Sequence, residues 1–146
     1  MYGNKLGEMA WMDLSVPDAK AISDFYQVVL GWRCEPVEMT LDNDTYSDFV
    51  MTSPTALVLD ETDKEKPASA IQSLVTGICH AKGENQDMPA VWLPYFLVKN
   101  LDESILKVKD NGGTLATKIK NIGADRYVVI KDPAGAMAAI YQKVEK

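Results

Sequence analysis

Two stretches of the chain share one arrangement of apolar and polar positions. In Trp11-Met12-Asp13-Leu14-Ser15-Val16-Pro17-Asp18 the residues alternate, so Met12, Leu14 and Val16 share one face of a strand and Trp11, Asp13 and Ser15 the other. Leu93-Pro94-Tyr95-Phe96-Leu97-Val98-Lys99-Asn100 has the same layout, with Asn100 in the place of Asp18. Pro17 has no N–H to donate and Asp18 can cap, so the first strand stops and a helix starts there. Ala21, Ile22, Phe25, Tyr26, Val29 and Leu30 then form one apolar stripe at helical spacing, and Gly31 supplies the stop. The second copy runs into a helix over 101–110, with Ile105 and Val108 inward, ended by Asn111-Gly112-Gly113.

The segments between follow the same logic. Trp32 to Val37 reads as a strand, at an edge because of Pro36. Leu41 to Thr45 is a turn by composition, and Tyr46 to Thr52 a third strand. Leu74 to Ala81 is a further strand. In the second half, Trp92 to Val98, Thr114 to Ile119, Tyr127 to Ile130 and Met137 to Val144 are strands, with Asp132-Pro133-Ala134-Gly135 turning between the last two. Two βαβββ units result. The first covers about 9–82 with an inserted, charged loop at about 54–73; the linker is 83–90; the second covers about 91–146. Neither closes a core alone, but paired they curve into a single sheet around a cleft. The expected class is therefore α+β, one cup-shaped mixed sheet with the helices outside.

Charge narrows the partners. Fifteen Lys and Arg against 21 Asp and Glu give a net charge of −6, with no basic cluster, which disfavours nucleic acid. No apolar run is long enough to span a membrane, and residues 1–8 lack the apolar core of a signal peptide, so a cytoplasmic protein is expected. Cys34 and Cys79 are expected as free thiols.

The order and spacing of several motifs resemble the vicinal oxygen chelate superfamily, which includes glyoxalases, bleomycin-resistance proteins and extradiol dioxygenases. The residues that carry the likeness are Leu14-x-Val16-x-Asp18, Phe25-Tyr26 with Leu30-Gly31-Trp32, the opening at Trp92 to Asn100, Asn111-Gly112-Gly113, and Asp132-Pro133-x-Gly135. The branch it is most similar to is glyoxalase-like and opens its modules with Trp rather than His. Metal-using members take ligands from the first and last strands of each module. The resemblance puts those positions at Trp11, Leu93 and Ala139, with a fourth near Gly77 to Cys79. An indole N–H, an alkyl group and a methyl offer no lone pair, so the expectation is a cleft with no metal and no cofactor.

On the same analogy the concave face carries Trp11, Asp13 and Ser15, then Tyr95 and Leu97, then Met137, Ala139 and Tyr141. Glu35 and Asp48 are further acids of uncertain facing. Aromatic walls with a few polar anchors suit a small molecule, and an acidic aromatic pocket suits a planar cation. The same pattern is met if these side chains simply fill the trough, because periodicity gives the face but not the void. The candidate ligand-binding residues are thus Trp11, Asp13, Ser15, Tyr95, Leu97, Met137 and Tyr141. The expected function is small-molecule binding of the sequestration type. The alternative is an enzyme of the same superfamily, with unusual metal ligands or none; an accessory subunit is the blander option. His80 reads as an exposed polar residue, Cys79 as a small buried apolar one, Arg126 as a surface residue, and Lys118 to Lys120 as a solvated strand face. A homodimer would cover edge strands and exposed apolar residues, as is frequent in this superfamily.

Overall fold

The computed structural model describes residues 2–53 and 74–144. The insert expected at about 54–73 lies outside the described residues. Elements run β1 (Met9–Val16), α1 (Ala19–Leu30), β2 (Arg33–Leu41), β3 (Asp44–Thr52), β4 (Leu74–His80), a single 3-10 turn (Gly83–Asn85), β5 (Leu93–Leu97), α2 (Leu101–Asp110), β6 (Thr114–Leu115), β7 (Lys120–Ile122), β8 (Asp125–Lys131) and β9 (Met137–Gln142). They form one mixed sheet in the order β2-β3-β4-β1-β5-β9-β8-β6, with β7 also paired to β8. The first strands of the two modules meet at its centre, where β1 and β5 run antiparallel with Asp13 opposite Leu93 and Trp11 opposite Tyr95.

Helix starts and stops follow the sequence signals. Asp18 accepts from the Ala21 N–H at 3.1 Å, Asn100 accepts from the Glu103 N–H at 3.0 Å, and Gly31 takes φ of 72°, which costs a residue without Cβ little. Pro36 sits in β2, the edge strand. Of the strand expected over Thr114 to Ile119 only Thr114–Leu115 forms, as β6; β7 follows outside that range, and both pair with β8. Between them Thr117 turns inward, its hydroxyl accepting from the Val129 N–H at 3.2 Å and replacing a ladder bond.

The helices pack on the convex face. Leu14, Val16, Phe49 and Ile78 meet Ala19, Ile22 and Tyr26 of α1, while Val128 and Ile140 meet Leu101 and Ile105 of α2. The stripe on α1 is narrower than its spacing suggests. Ala19, Ile22, Ser23 and Tyr26 face the sheet, whereas Ala21, Phe25, Val29 and Leu30 are exposed. A buried Ser23 is tolerated there because its hydroxyl donates to the Lys20 carbonyl at 2.8 Å. Among the described residues no helix is long and apolar enough to cross a membrane.

The end of α2 is the tightest backbone approach. A Cβ on Gly113 would stand 2.8 Å from the Lys131 carbonyl oxygen and 2.8 Å from Val108 Cγ1. Gly123, at φ of 59°, has nothing within 4 Å. Gly113→Ala is therefore expected to cost about 2–3 kcal/mol through overpacking, and Gly123→Ala about 1 kcal/mol through backbone strain alone. Chemical denaturation of both variants checks this; equal losses would contradict the packing at the helix end.

Candidate functional site

Alternation along the strands aims one set of side chains into the concave side of the sheet. They enclose a cleft of about 330 Å³ lined from both modules: Trp11, Asp13 and Ser15 on β1, Met39 on β2, Asp48 on β3, Cys79 on β4, Tyr95 on β5, Ile122 on β7, Tyr127 on β8 and Tyr141 on β9. Ala10 joins the lining beside Trp11, where the β1–β5 register shifts between Met9 and Trp11; such irregularities re-aim a side chain. Asn85 and Met88, from the segment joining the modules, and Lys143 complete it.

One wall is aromatic. Tyr127 and Tyr141 stack at 5.8 Å with planes 17° apart, and Tyr95 meets both, at 5.6 and 6.4 Å. Their hydroxyls are anchored: Tyr127 donates to Asn85 Oδ1 at 3.0 Å and Tyr141 to Asp125 Oδ2 at 2.8 Å. Burial raises the pKa of all three phenols, so they stay neutral donors. Trp11, the register neighbour of Tyr95, stacks against Tyr2 at 6.0 Å.

Asp13 lies on the floor. Its Oδ1 is sealed from solvent and has no hydrogen-bond partner among the described residues. The register explains this: its neighbours across the ladders are Gly77 on β4, which has no side chain, and Leu93 on β5, which has an alkyl one. Desolvation pushes the carboxyl pKa up to about 6, opposed by the nearby Tyr95 hydroxyl and Trp11 indole and helped by the charge of Asp48. Asp48 is itself held, since its Oδ1 accepts from the His80 backbone N–H at 2.7 Å and lies 3.3 Å from His80 Nδ1.

Of the seven candidates, Trp11, Asp13, Ser15, Tyr95 and Tyr141 line the cleft. Leu97 does not: its backbone bonds Gly7 and Glu8 at the end of β5, and the side chain is buried there. Met137 packs at the periphery of the concave apolar cluster without reaching the cleft. Ala139 is fully buried beside Tyr95, its register partner on β5. Glu35 is exposed, whereas Asp48 lines the cleft. Cys79 faces the cleft, with burial raising its thiol pKa far above neutrality, so it remains a thiol. Tyr127 is a lining residue that strand alternation could have found, since period two on β8 puts it with Val129 on the concave face. Asn85, Met88 and Lys143 come from segments with no periodicity to read.

Two expectations are corrected. His80 is not exposed; only 13% of its side chain is accessible, against Asp48, Tyr46 and Phe49. The Lys118 to Lys120 face is solvated only at Lys118, which pairs with Glu84 at 3.2 Å. Lys120 is 1% exposed, its ammonium donating to the Glu84 carbonyl and the Asp87 carboxylate, because the joining segment folds across β7. Arg126 pairs with Asp102 of α2, at 3.1 Å, and does not face the cleft.

The concave residues do not fit a divalent ion. At the places that the family resemblance assigns to ligands, Trp11, Leu93 and Ala139 carry no donor lone pair, and Leu93 and Ala139 are sealed in the sheet. Among the described residues no three His, Cys, Asp or Glu side chains gather in a metal-holding group.

A family model described as the Glyoxalase/Bleomycin resistance protein/Dioxygenase superfamily matches residues 8–140. The anthracycline biosynthesis protein DnrV of Streptomyces peucetius is 31% identical over 141 residues, covering 94% of this chain and 47% of its own length. The anthracycline biosynthesis protein DauV of Streptomyces sp. (strain C5) is 30% identical with the same coverage. The chain thus spans about half the length of these relatives. Among solved structures, a single-residue variant of the Streptomyces coelicolor methylmalonyl-CoA epimerase, in complex with 2-nitronate-propionyl-CoA, superposes with a TM-score of 0.50 at 12% identity, covering 96% of each chain. That likeness is one of fold.

Burying Asp13 has a measurable cost. The unfolded carboxyl titrates near 3.8 and the folded one near 6, so folding holds the proton more tightly. The penalty is absent below pH about 4, grows between pH about 4 and 6, and stands in full above, at about 3 kcal/mol. Asp13→Asn keeps the shape and removes the charge. It is expected to be more stable than the parent by about 1–3 kcal/mol at pH 8, the gap closing towards pH 4. Urea denaturation across pH checks this, and a variant less stable at pH 8 would contradict it.

Proposed function

This chain belongs to the Glyoxalase/Bleomycin resistance protein/Dioxygenase superfamily, and on that premise we propose that its cleft binds a planar, mostly apolar organic molecule bearing a positive charge or hydrogen-bond donor. The observation that carries the reading is the unpartnered Oδ1 of Asp13 on the floor of an aromatic-walled cleft. The ladder neighbours of Asp13, Gly77 and Leu93, do nothing to offset its charge, so a cationic or donor group of a ligand in the cleft beside it gains a charge-assisted interaction. The cleft volume of about 330 Å³ is at the lower end of the range of small-molecule sites, about 300–1,000 Å³. Tyr95, Tyr127 and Tyr141 offer ring faces to a flat molecule, and a cation among them gains from their quadrupoles. Relatives named for anthracycline biosynthesis are in keeping with a polycyclic ligand. With no metal donors at Trp11, Leu93 and Ala139, recognition rests on charge, stacking and shape.

Proflavine, a planar tricyclic cation, is the probe, with 9-anthracenecarboxylate as the anionic match. The wild-type protein is expected to bind proflavine saturably and in preference to the anion. Asp13→Asn is expected to weaken it about 10- to 100-fold, the worth of a hydrogen bond to a buried charge. Equal binding by the variant, or a preference for the anion, would overturn the reading.

A further inference from the structure

We propose that the outer face of α1 docks against the same face of a second copy of this chain. The helix carries three stripes. Ala19, Ile22, Ser23 and Tyr26 face the sheet, and Lys20, Asp24 and Gln27 border a polar hollow shared with Cys34 and Pro36 of β2. The third stripe, Ala21, Phe25, Val28 and Val29, recurs at i, i+4, i+7 and i+8 and turns away from both. Phe25 is 55% exposed, Val28 86% and Val29 57%. A helix apolar over so much of its circumference is ordinarily covered on more than one side, and the described residues cover only the side on the sheet. α2 is the control within the molecule. Its outer side carries Asp102, Glu103, Lys107, Lys109 and Asp110, and Leu106 is its one exposed large apolar residue.

The face continues beyond the helix, on the side of the sheet away from the cleft. Between α1 and the segment before β5 runs a groove of about 270 Å³, lined by Leu14, Val16, Ile22, Phe25, Val91 and Trp92 among others. Its wall is fixed, since Trp92 Nε1 donates to the Tyr26 hydroxyl at 3.1 Å and the Trp92 ring meets Tyr26 and Trp32 edge-on. An apolar ridge and an apolar groove thus lie side by side. A two-fold contact needs that arrangement, because an isologous patch must complement itself: the Phe25–Val28 ridge of each copy enters the groove of the other. The area is sufficient. The exposed parts of Phe25, Val28, Val29, Leu30 and Val91 amount to roughly 500 Å² on ordinary side-chain areas. A standard interface takes about 800 Å² from each partner and a homodimer interface is about 65% apolar, so about 500 Å² of apolar surface per copy is what a stable dimer requires. Charge does not oppose the contact locally. The net −6 is spread over the chain, whereas the two charged residues of α1, Lys20 and Asp24, pair at 2.6 Å and cancel. A lipid surface suits the face less well, because Lys20 is the one basic residue on α1 to meet anionic headgroups.

Sedimentation equilibrium of the full chain, from micromolar to submillimolar concentration, is the test. The wild-type protein is expected at twice its 16.1 kDa mass, dissociating on dilution. Val28→Glu places a charge in the contact without reaching the core, and is expected to weaken association by about tenfold or more. Leu106→Glu, on the outer side of α2, is expected to leave it within about twofold. A monomer at every concentration overturns the proposal. A dimer that Val28→Glu weakens by less than about tenfold overturns it too, since the copies then meet elsewhere. A monomer that floats with phosphatidylcholine vesicles gives the face to lipid and likewise overturns it. Methyl NMR of the unsubstituted protein decides the matter even if Val28→Glu fails to fold. The signals of Val28 and Val29 are expected to shift on dilution, and shifts confined to other elements contradict the contact.

Discussion

The antiparallel pairing of β1 with β5 is the constraint on which the molecule depends. It joins the two halves of the chain through their first strands, so that the sheet continues outward through β4, β3 and β2 on one side and through β9 and β8 on the other. Because a strand shows alternate residues to opposite faces, that one register decides which half of each strand meets a helix and which half lines the cleft. A slip of one residue would move Leu14 and Val16 from beneath α1 into the cleft and bury Asp13 under the helix. The apolar burial on the convex side therefore fixes the polar floor on the concave one.

The same register accounts for the character of Asp13. Its ladder neighbours are Gly77 and Leu93, neither able to reach it with a polar side chain. A carboxylate so placed is an expense to the fold and an asset only if something enters the cleft. Structural ion pairs look different here: Lys120 is buried with Asp87 and the Glu84 carbonyl, and Arg126 lies against Asp102, each charge with its complement. The contrast is the reason to place the site at Asp13. At the places that the family resemblance assigns to metal ligands this chain offers an indole, an alkyl group and a methyl at Trp11, Leu93 and Ala139, and the binding we propose rests instead on the carboxylate and the tyrosine wall.

Much of this is legible in the sequence for definite physical reasons. Period-two alternation puts Trp11, Asp13 and Ser15 together, and the cap at Asp18 and the stop at Gly31 bound α1 because both act through local backbone geometry. What escapes depends on long-range packing. The stripe on α1 contains Phe25, Val29 and Leu30, yet the sheet covers only the Ile22–Tyr26 side, and composition cannot say how wide the covered face is. Leu97 and Met137 have the right parity but sit at strand ends beyond the cleft's reach. Lys120 reads as solvated because its partners are 33 and 36 residues away, on a segment with no periodic signal.

The central claim concerns a half-buried carboxyl group that lines a cleft and has one oxygen sealed from solvent without a hydrogen-bond partner. The most direct measurement is the titration of the Asp13 side-chain carbon by NMR in protein labelled with ¹³C at aspartate, assigned by comparison with Asp13→Asn. The midpoint is expected near pH 6, falling when a planar cation is added. A midpoint close to 3.8 would mean that the group is as well solvated as a free carboxyl, and the floor of the cleft would then not be the anchor.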